Sequence, residues 1–131
     1  MKKRGVINSE LSYLISKMGH TDKLVICDAG LPIPEDVRRI DLSLTRTIPK
    51  FMEVLEALLN ELVIEKAILA EEIKDVSLRL HQEIIKTLGD IPVEYCKHEK
   101  FKQISSEARC IVRSGEVTPY ANIILISGVD F

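Results

Sequence analysis

"KMGHTDKLVICDAGLPIP", residues 17–34, decides how the rest of the chain is read. Its centre, "KLVIC", is an unbroken apolar run of the length of a short strand buried on both faces. Gly19 and His20 stand on one side of it, and Asp28, a glycine and two prolines on the other. "DAGLPIPEDV" reads as a loop, because its glycine and prolines interrupt regular structure. Asp28 therefore sits where the chain leaves a core, a position that gives a carboxylate either a turn-forming task or a ligand to hold.

Upstream, "NSELSYLISKMG" predicts a helix. Asn8 or Ser9 caps its start, Leu11, Leu14, Ile15 and Met18 form its apolar stripe, and Gly19 suits the position just past its end. Downstream, "RRIDLSL" predicts a strand. "IPKFMEVLEALLNEL" predicts the clearest helix, with Pro49 early and Phe51, Val54, Leu55, Leu58, Leu59 and Leu62 at helical spacing. "EKAILAEEI" reads as a strand, "DVSLRLHQEIIKTLG" as one helix ending at Gly89, "IPVEYCK" as a strand and "HEKFKQISSEA" as a short helix. "RCIVRSGEVTPYANIILIS" has the look of a hairpin with its turn at Ser114–Pro119. Alternation of strands and helices predicts an α/β fold: a single layered domain with a mainly parallel sheet, flanking helices and an antiparallel strand near the C-terminus.

Composition narrows the function classes. The 131 residues are 46% hydrophobic and 29% charged, as in a globular protein long enough for a real core. Aromatics make up 5% and tryptophan is absent, so Ile, Leu and Val must fill that core. A formal net charge of −2 with mixed signs gives no electrostatic case for nucleic acid or an anionic membrane. "MKKRGVINSELSYL" is basic but lacks the apolar run of a signal peptide or membrane span. Cys27, Cys96 and Cys110 lie in strand-like stretches without metal or redox spacing, which points to small core residues in a reducing cytoplasm.

Ligands of open α/β sheets gather beyond the carboxyl ends of the strands. Asp28 and His98 each follow a strand and belong to that rim. Tyr120 and Asn122 begin the last strand, so they join the rim if that strand runs antiparallel. His20 precedes "KLVIC" and belongs to the opposite end, roughly 15 Å from Asp28. Either the loop after Gly19 folds back over the sheet, or neighbouring subunits share the site; the second is the favoured reading. The inventory comprises two imidazoles, a side-chain type that can gain or lose a proton near neutral pH, with a carboxylate, an amide and a phenol. It suits a small polyhydroxylated ligand whose reaction needs only proton transfers. No phosphate-cradling loop, nucleophile motif or metal-ligand spacing is present. Each residue also has a plainer explanation. His20 suits a helix carboxyl end, Asp28 a turn and His98 a first helical turn, while His81 reads as solvated or half-buried on its helix. The pair Glu71–Glu72 follows a strand but reads equally well as an exposed helix entry.

Together these residues resemble the D-ribose pyranase family, sugar mutarotases allied to fucose mutarotase. The resemblance spans essentially the whole chain. It is carried by "MKKRGVINSELSYLISKMGHTDKLVICDAGLPIP", "AEEIK" and "TPYANIILISGV", with no departure at the motif positions. It implies a cofactor-free enzyme that interconverts six- and five-membered ring forms of ribose, with His20 as the acid. Asp28, His98, Tyr120, Ala121 and Asn122 would bind the sugar. It also implies a homo-oligomer, a decamer of stacked pentameric rings with sites near subunit boundaries. Two rival readings use the same residues: a fucose-type mutarotase interconverting anomers, and a non-catalytic sugar-binding or regulatory module.

Overall fold

A computed structural model describes residues 1–131. Its strands are β1 (Lys23–Cys27), β2 (Arg39–Asp41), β3 (Ile64–Ala70), β4 (Val93–Cys96), β5 (Cys110–Arg113) and β6 (Ile123–Ser127). They form one sheet in the order β2-β5-β1-β6-β3-β4. The β2–β5, β5–β1 and β3–β4 pairs are parallel, and β6 runs antiparallel to both of its neighbours, β1 and β3. The expected mixed α/β sheet is thus present, with the antiparallel strand at the C-terminal end of the chain.

Five helices flank the sheet: α1 (Ser9–Lys17), α2 (Phe51–Leu59), α3 (Ile73–Val76), α4 (Leu78–Leu88) and α5 (His98–Ser105). Successive strand side chains point to opposite faces, and here both faces are apolar. Leu24 and Ile26 of β1, Ile123 and Leu125 of β6, and Ala67 and Leu69 of β3 pack with Leu11, Phe51, Leu55, Leu58 and Ile84 from the helices on one side. Val25, Cys27, Ile124, Ile126 and Ile68 meet Phe101 of α5, Leu31 and Val37 on the other. The central strands therefore read as continuous apolar runs. The edge strands are short, and β2 exposes Arg39 and Asp41 either side of buried Ile40, which discourages pairing with another sheet edge.

Capping follows the sequence closely at α1. The Asn8 side-chain oxygen accepts the Leu11 N–H at 3.0 Å. Asn8→Ala should cost about 1 kcal/mol, read as a small drop in melting temperature. Gly89 ends α4 in the left-handed region, with φ of 58°.

Gly19 stands just past the end of α1, as expected, one residue after the Met18 C-cap; the Asp22 carboxylate accepts its N–H, and the positive φ of this turn falls on Thr21. Three expectations need correction. Pro49 precedes α2 rather than opening it, and Lys50 is the N-cap. The helix expected over 75–89 breaks at Ser77, whose backbone (φ −133°, ψ 54°) separates α3 from α4. Finally, β5 and β6 do not form a hairpin, because β1 lies between them.

That last correction has a physical cause. The Ser114–Asn122 connection is held across the carboxyl end of β1 instead of folding back on β5. Ser114 donates to the Cys27 carbonyl from both its N–H (3.0 Å) and its hydroxyl (2.7 Å), and the Ala29 N–H donates to the Glu116 carbonyl at 2.8 Å. Gly115 passes so close to another loop that a Cβ there would lie 2.5 Å from the Ile48 carbonyl oxygen. Buried Glu116 accepts the Phe51 N–H at the start of α2 and the Thr118 hydroxyl, tying the crossing to the main core.

Candidate active site

The crossing over β1 delivers Tyr120 and Asn122 to Asp28. The Asp28 N–H donates to Asn122 Oδ1 at 2.9 Å, and Asn122 Nδ2 donates back to Asp28 Oδ2 at 3.2 Å. The other carboxylate oxygen, Oδ1, accepts the N–H groups of Gly30 and Leu31, both at 2.9 Å. Asp28 thus does what a turn-forming aspartate does and also holds a buried amide in one orientation. Asn122 is only 1% exposed. Its amide orientation follows from the pairing, since Oδ1 must face the Asp28 N–H and Nδ2 the carboxylate.

His98 opens α5 and brings an aromatic wall. Its ring meets Tyr120 edge-on, with centroids 5.1 Å apart at 82°, and stacks on Phe101 at 6.3 Å. Tyr120 has φ of 62°, a conformation rare for a bulky residue. It costs on the order of 1–3 kcal/mol and persists where the surroundings over-determine it. Ala121 is fully buried in the main core, just before β6. Asp28, Gly30, Leu31, Pro32, His98, Pro119, Tyr120 and Asn122 line an open cleft of about 290 Å³, at the small end of ligand sites. His98 Nδ1 is buried without a hydrogen-bond partner.

Residues that the sequence reading weighed lightly brace this wall. Both carboxylate oxygens of Glu72 lie 3.1 Å from the His98 N–H, capping α5 from across the sheet edge. Burial raises the Glu72 pKa, but the His98 N–H, its own N–H and nearby positive charge outweigh that and hold it below 4.5. A carboxyl depressed in the folded state contributes stability that is present above its unfolded pKa and lost as pH falls through the folded one. Acid-side thermal melts should therefore be shallower in pH for Glu72→Gln than for the parent protein; coincident pH dependences would remove the cap from the account.

His20 lies elsewhere. It is exposed, at the amino end of β1, and its Nε2 is 2.8 Å from Glu65 Oε2 at the start of β3. The adjacent Thr21 N–H is tied to the Ser127 carbonyl at the far end of β6. The loop after Gly19 therefore does not fold back over the sheet, and within one chain His20 and Asp28 face opposite rims. Glu65 was not singled out from sequence, because no local pattern pairs it with a residue so distant in the chain.

Other titratable groups have structural duties. His81 Nε2 pairs with the Tyr95 hydroxyl at 2.7 Å, and burial followed by the nearby Lys74 charge lowers its pKa. All three cysteines are free. Burial pushes the Cys27 thiol up to about 12 and Cys110 to about 11, so both are poor nucleophiles at neutral pH. No three His, Cys, Asp or Glu side chains gather as a metal site, and no helix is long and apolar enough to cross a membrane.

Comparison with known proteins gives this geometry a context. The chain is 49% identical over 131 residues to a D-ribose pyranase of Geobacillus thermodenitrificans, covering 100% of this chain and 99% of that one. It is equally identical, over 139 residues and all of both chains, to a D-ribose pyranase of Escherichia coli. The solved structure of Bacillus subtilis RbsD complexed with D-ribose superposes with a TM-score of 0.97, at 44% identity and full coverage of both chains. A fucose mutarotase from Streptococcus pneumoniae in complex with L-fucose has a TM-score of 0.77 at 26% identity, covering 95% of each chain. The sequence model of the RbsD / FucU transport protein family matches residues 1–130. With end-to-end agreement in both sequence and fold, this chain belongs to the RbsD / FucU transport protein family.

Proposed function

We propose that the protein is a D-ribose pyranase, an isomerase that interconverts the pyranose and furanose forms of ribose by acid/base-assisted ring opening and closure. One observation carries the reading. Asp28, His98, Tyr120 and Asn122 converge on a sugar-sized cleft in a fold that matches ribose-bound RbsD at a TM-score of 0.97. The fucose-type alternative has weaker support, since identity falls from 44% for the ribose-bound relative to 26% for the fucose mutarotase.

Ring opening of a hemiacetal needs a proton delivered to the ring oxygen and another removed from the anomeric hydroxyl. The bond between the anomeric carbon and the ring oxygen then breaks, leaving an open-chain aldehyde. Closure by a different hydroxyl reverses the same two proton movements and yields the other ring size. In this reading His20 of a neighbouring subunit donates to the ring oxygen. His98, or a water beside it, accepts the anomeric proton. Asp28 and Asn122 hold sugar hydroxyls, and the Tyr120 ring packs on the apolar face of the sugar while its backbone and Ala121 shape the cleft. The opposite placement of His20 and Asp28 in one chain supports a shared site, since a head-to-tail ring presents one rim of each subunit to the other rim of the next. A decamer of stacked pentameric rings acting in the cytoplasm fits this reading, with D-ribose as the partner and neither nucleic acid nor membrane required.

Magnetisation-exchange NMR on equilibrated ribose is the direct test. Substoichiometric protein should accelerate pyranose–furanose exchange, and exchange of fucose anomers should respond much less. A protein that broadens ribose signals without speeding exchange would be a binding module, and the enzyme reading would be wrong.

A further inference from the structure

We infer that the segment joining β3 to α4 is a positioning element, with Glu72 and Ser77 jointly setting the His98–Tyr120 wall without touching the sugar. This deepens the ribose pyranase reading and rests on it for the ligand. The observations form a closed loop. Glu72 caps the backbone of His98 with both carboxylate oxygens at 3.1 Å. Five residues on, buried Ser77 donates its hydroxyl to the Pro119 carbonyl at 2.6 Å. Pro119 precedes Tyr120, whose φ of 62° places its ring edge-on against His98, with centroids 5.1 Å apart.

Between the two contacts the chain makes one helical turn, α3, anchored by fully buried Ile73, and the Ser77 N–H closes that turn on the Ile73 carbonyl at 3.1 Å. The Glu71 N–H bonds the Cys96 carbonyl at 2.8 Å, fixing the segment to the strand that leads into His98. One rigid turn therefore sets the spacing of two contacts, one on each aromatic wall residue. The break between α3 and α4, unexpected from helical periodicity, has a purpose on this account: it lets Ser77 reach the crossing loop. Without the Ser77 hydroxyl, Tyr120 is free to leave its left-handed conformation for an ordinary one, and its ring leaves His98.

The test uses Ser77→Ala and Glu72→Gln in the full-length protein. The imidazole signals of His98 are followed by NMR with ¹³C-labelled histidine, and ribose exchange kinetics are measured alongside. With three histidines in the chain, a His98→Gln spectrum assigns the signal. Ser77 bonds Pro119 and Ile73 rather than His98, so a purely local structural role would leave that signal in place. The expected result is a displaced His98 signal in both variants and a KM for ribose raised roughly tenfold, with kcat reduced less, as for lost pre-organisation. An unmoved His98 signal in folded Ser77→Ala overturns the inference, as does unchanged KM in both variants. Should Ser77→Ala fail to fold, Glu72→Gln decides by KM alone, since Glu72 bonds His98 directly and shifts its signal in any role; an unchanged KM overturns the inference. Absence of catalysed exchange in the parent protein would instead sink the enzyme reading, and the His98 signals would still decide the positioning claim.

Discussion

His20→Ala should slow ribose ring exchange by roughly 10²–10⁴-fold, the usual contribution of a positioned acid, while leaving the melting temperature almost unchanged. Stability is spared because the side chain is 54% exposed and its pairing with Glu65 is a surface ion pair, a class worth about 0–1 kcal/mol. Loss of rate without loss of fold separates a catalytic histidine from one that merely suits the end of α1. The same variant also tests the shared site. Unfolding and refolding equal amounts of His20→Ala and Asp28→Asn chains together should restore activity, because about a quarter of head-to-tail junctions then pair an intact His20 with an intact Asp28. Complementation cannot occur if both residues act within one chain, and mixtures as inactive as their parents would end the shared-site proposal.

A second large effect is expected at Asp28. Hydrogen bonds to a charged group contribute about 1.5–3 kcal/mol each, so Asp28→Asn should lower kcat/KM for ribose by on the order of 10–100-fold if the carboxylate holds sugar hydroxyls. The substitution is less conservative than it looks. Asp28 Oδ2 accepts from Asn122 Nδ2, so an amide placed there with Oδ1 still serving Gly30 and Leu31 sets two donors face to face. Asn122 cannot turn over to relieve this, because its Oδ1 is held by the Asp28 N–H. Asp28→Asn should therefore lose stability as well as activity. Exchanging the two residues, Asp28→Asn with Asn122→Asp, restores a donor opposite an acceptor while moving the charge by one side chain. The double variant should recover melting temperature relative to either single one, with a coupling of about 0.5–3 kcal/mol, yet remain impaired on ribose. If turnover recovers along with stability, the position of the charge is immaterial and Asp28 serves structure alone.

Both experiments bear on features that differ in how far they were legible in the chain. "KLVIC", "KAILA" and "IILIS" read as strands because side chains on a doubly covered sheet meet apolar layers on both faces, leaving no polar alternation to confuse the pattern. The start of α1 was legible because an N-cap acts over three residues. Asp28 and His98 could be assigned to one rim because each directly follows a parallel strand. By contrast, the hairpin expected for β5 and β6 was wrong, since two strands close in sequence compete with any third strand the core can insert between them. Local pattern carries no trace of that competition. Glu72 read equally well as an exposed helix entry, Ser77 lay inside what looked like an uninterrupted helix, and Glu65 stood out in no way.

The sequence by itself determined the strands, most of the helices and the α/β class, because periodicity, capping and turn chemistry act over a few residues. Only the tertiary structure decided that β1 separates β5 from β6 and that Asn122 locks to Asp28 across the crossing. It alone placed His20 beside Glu65 at the far rim and tied Ser77 to the backbone before Tyr120. These are contacts between residues distant in the chain, selected by which packing of the whole buries the most apolar surface while satisfying every buried polar group.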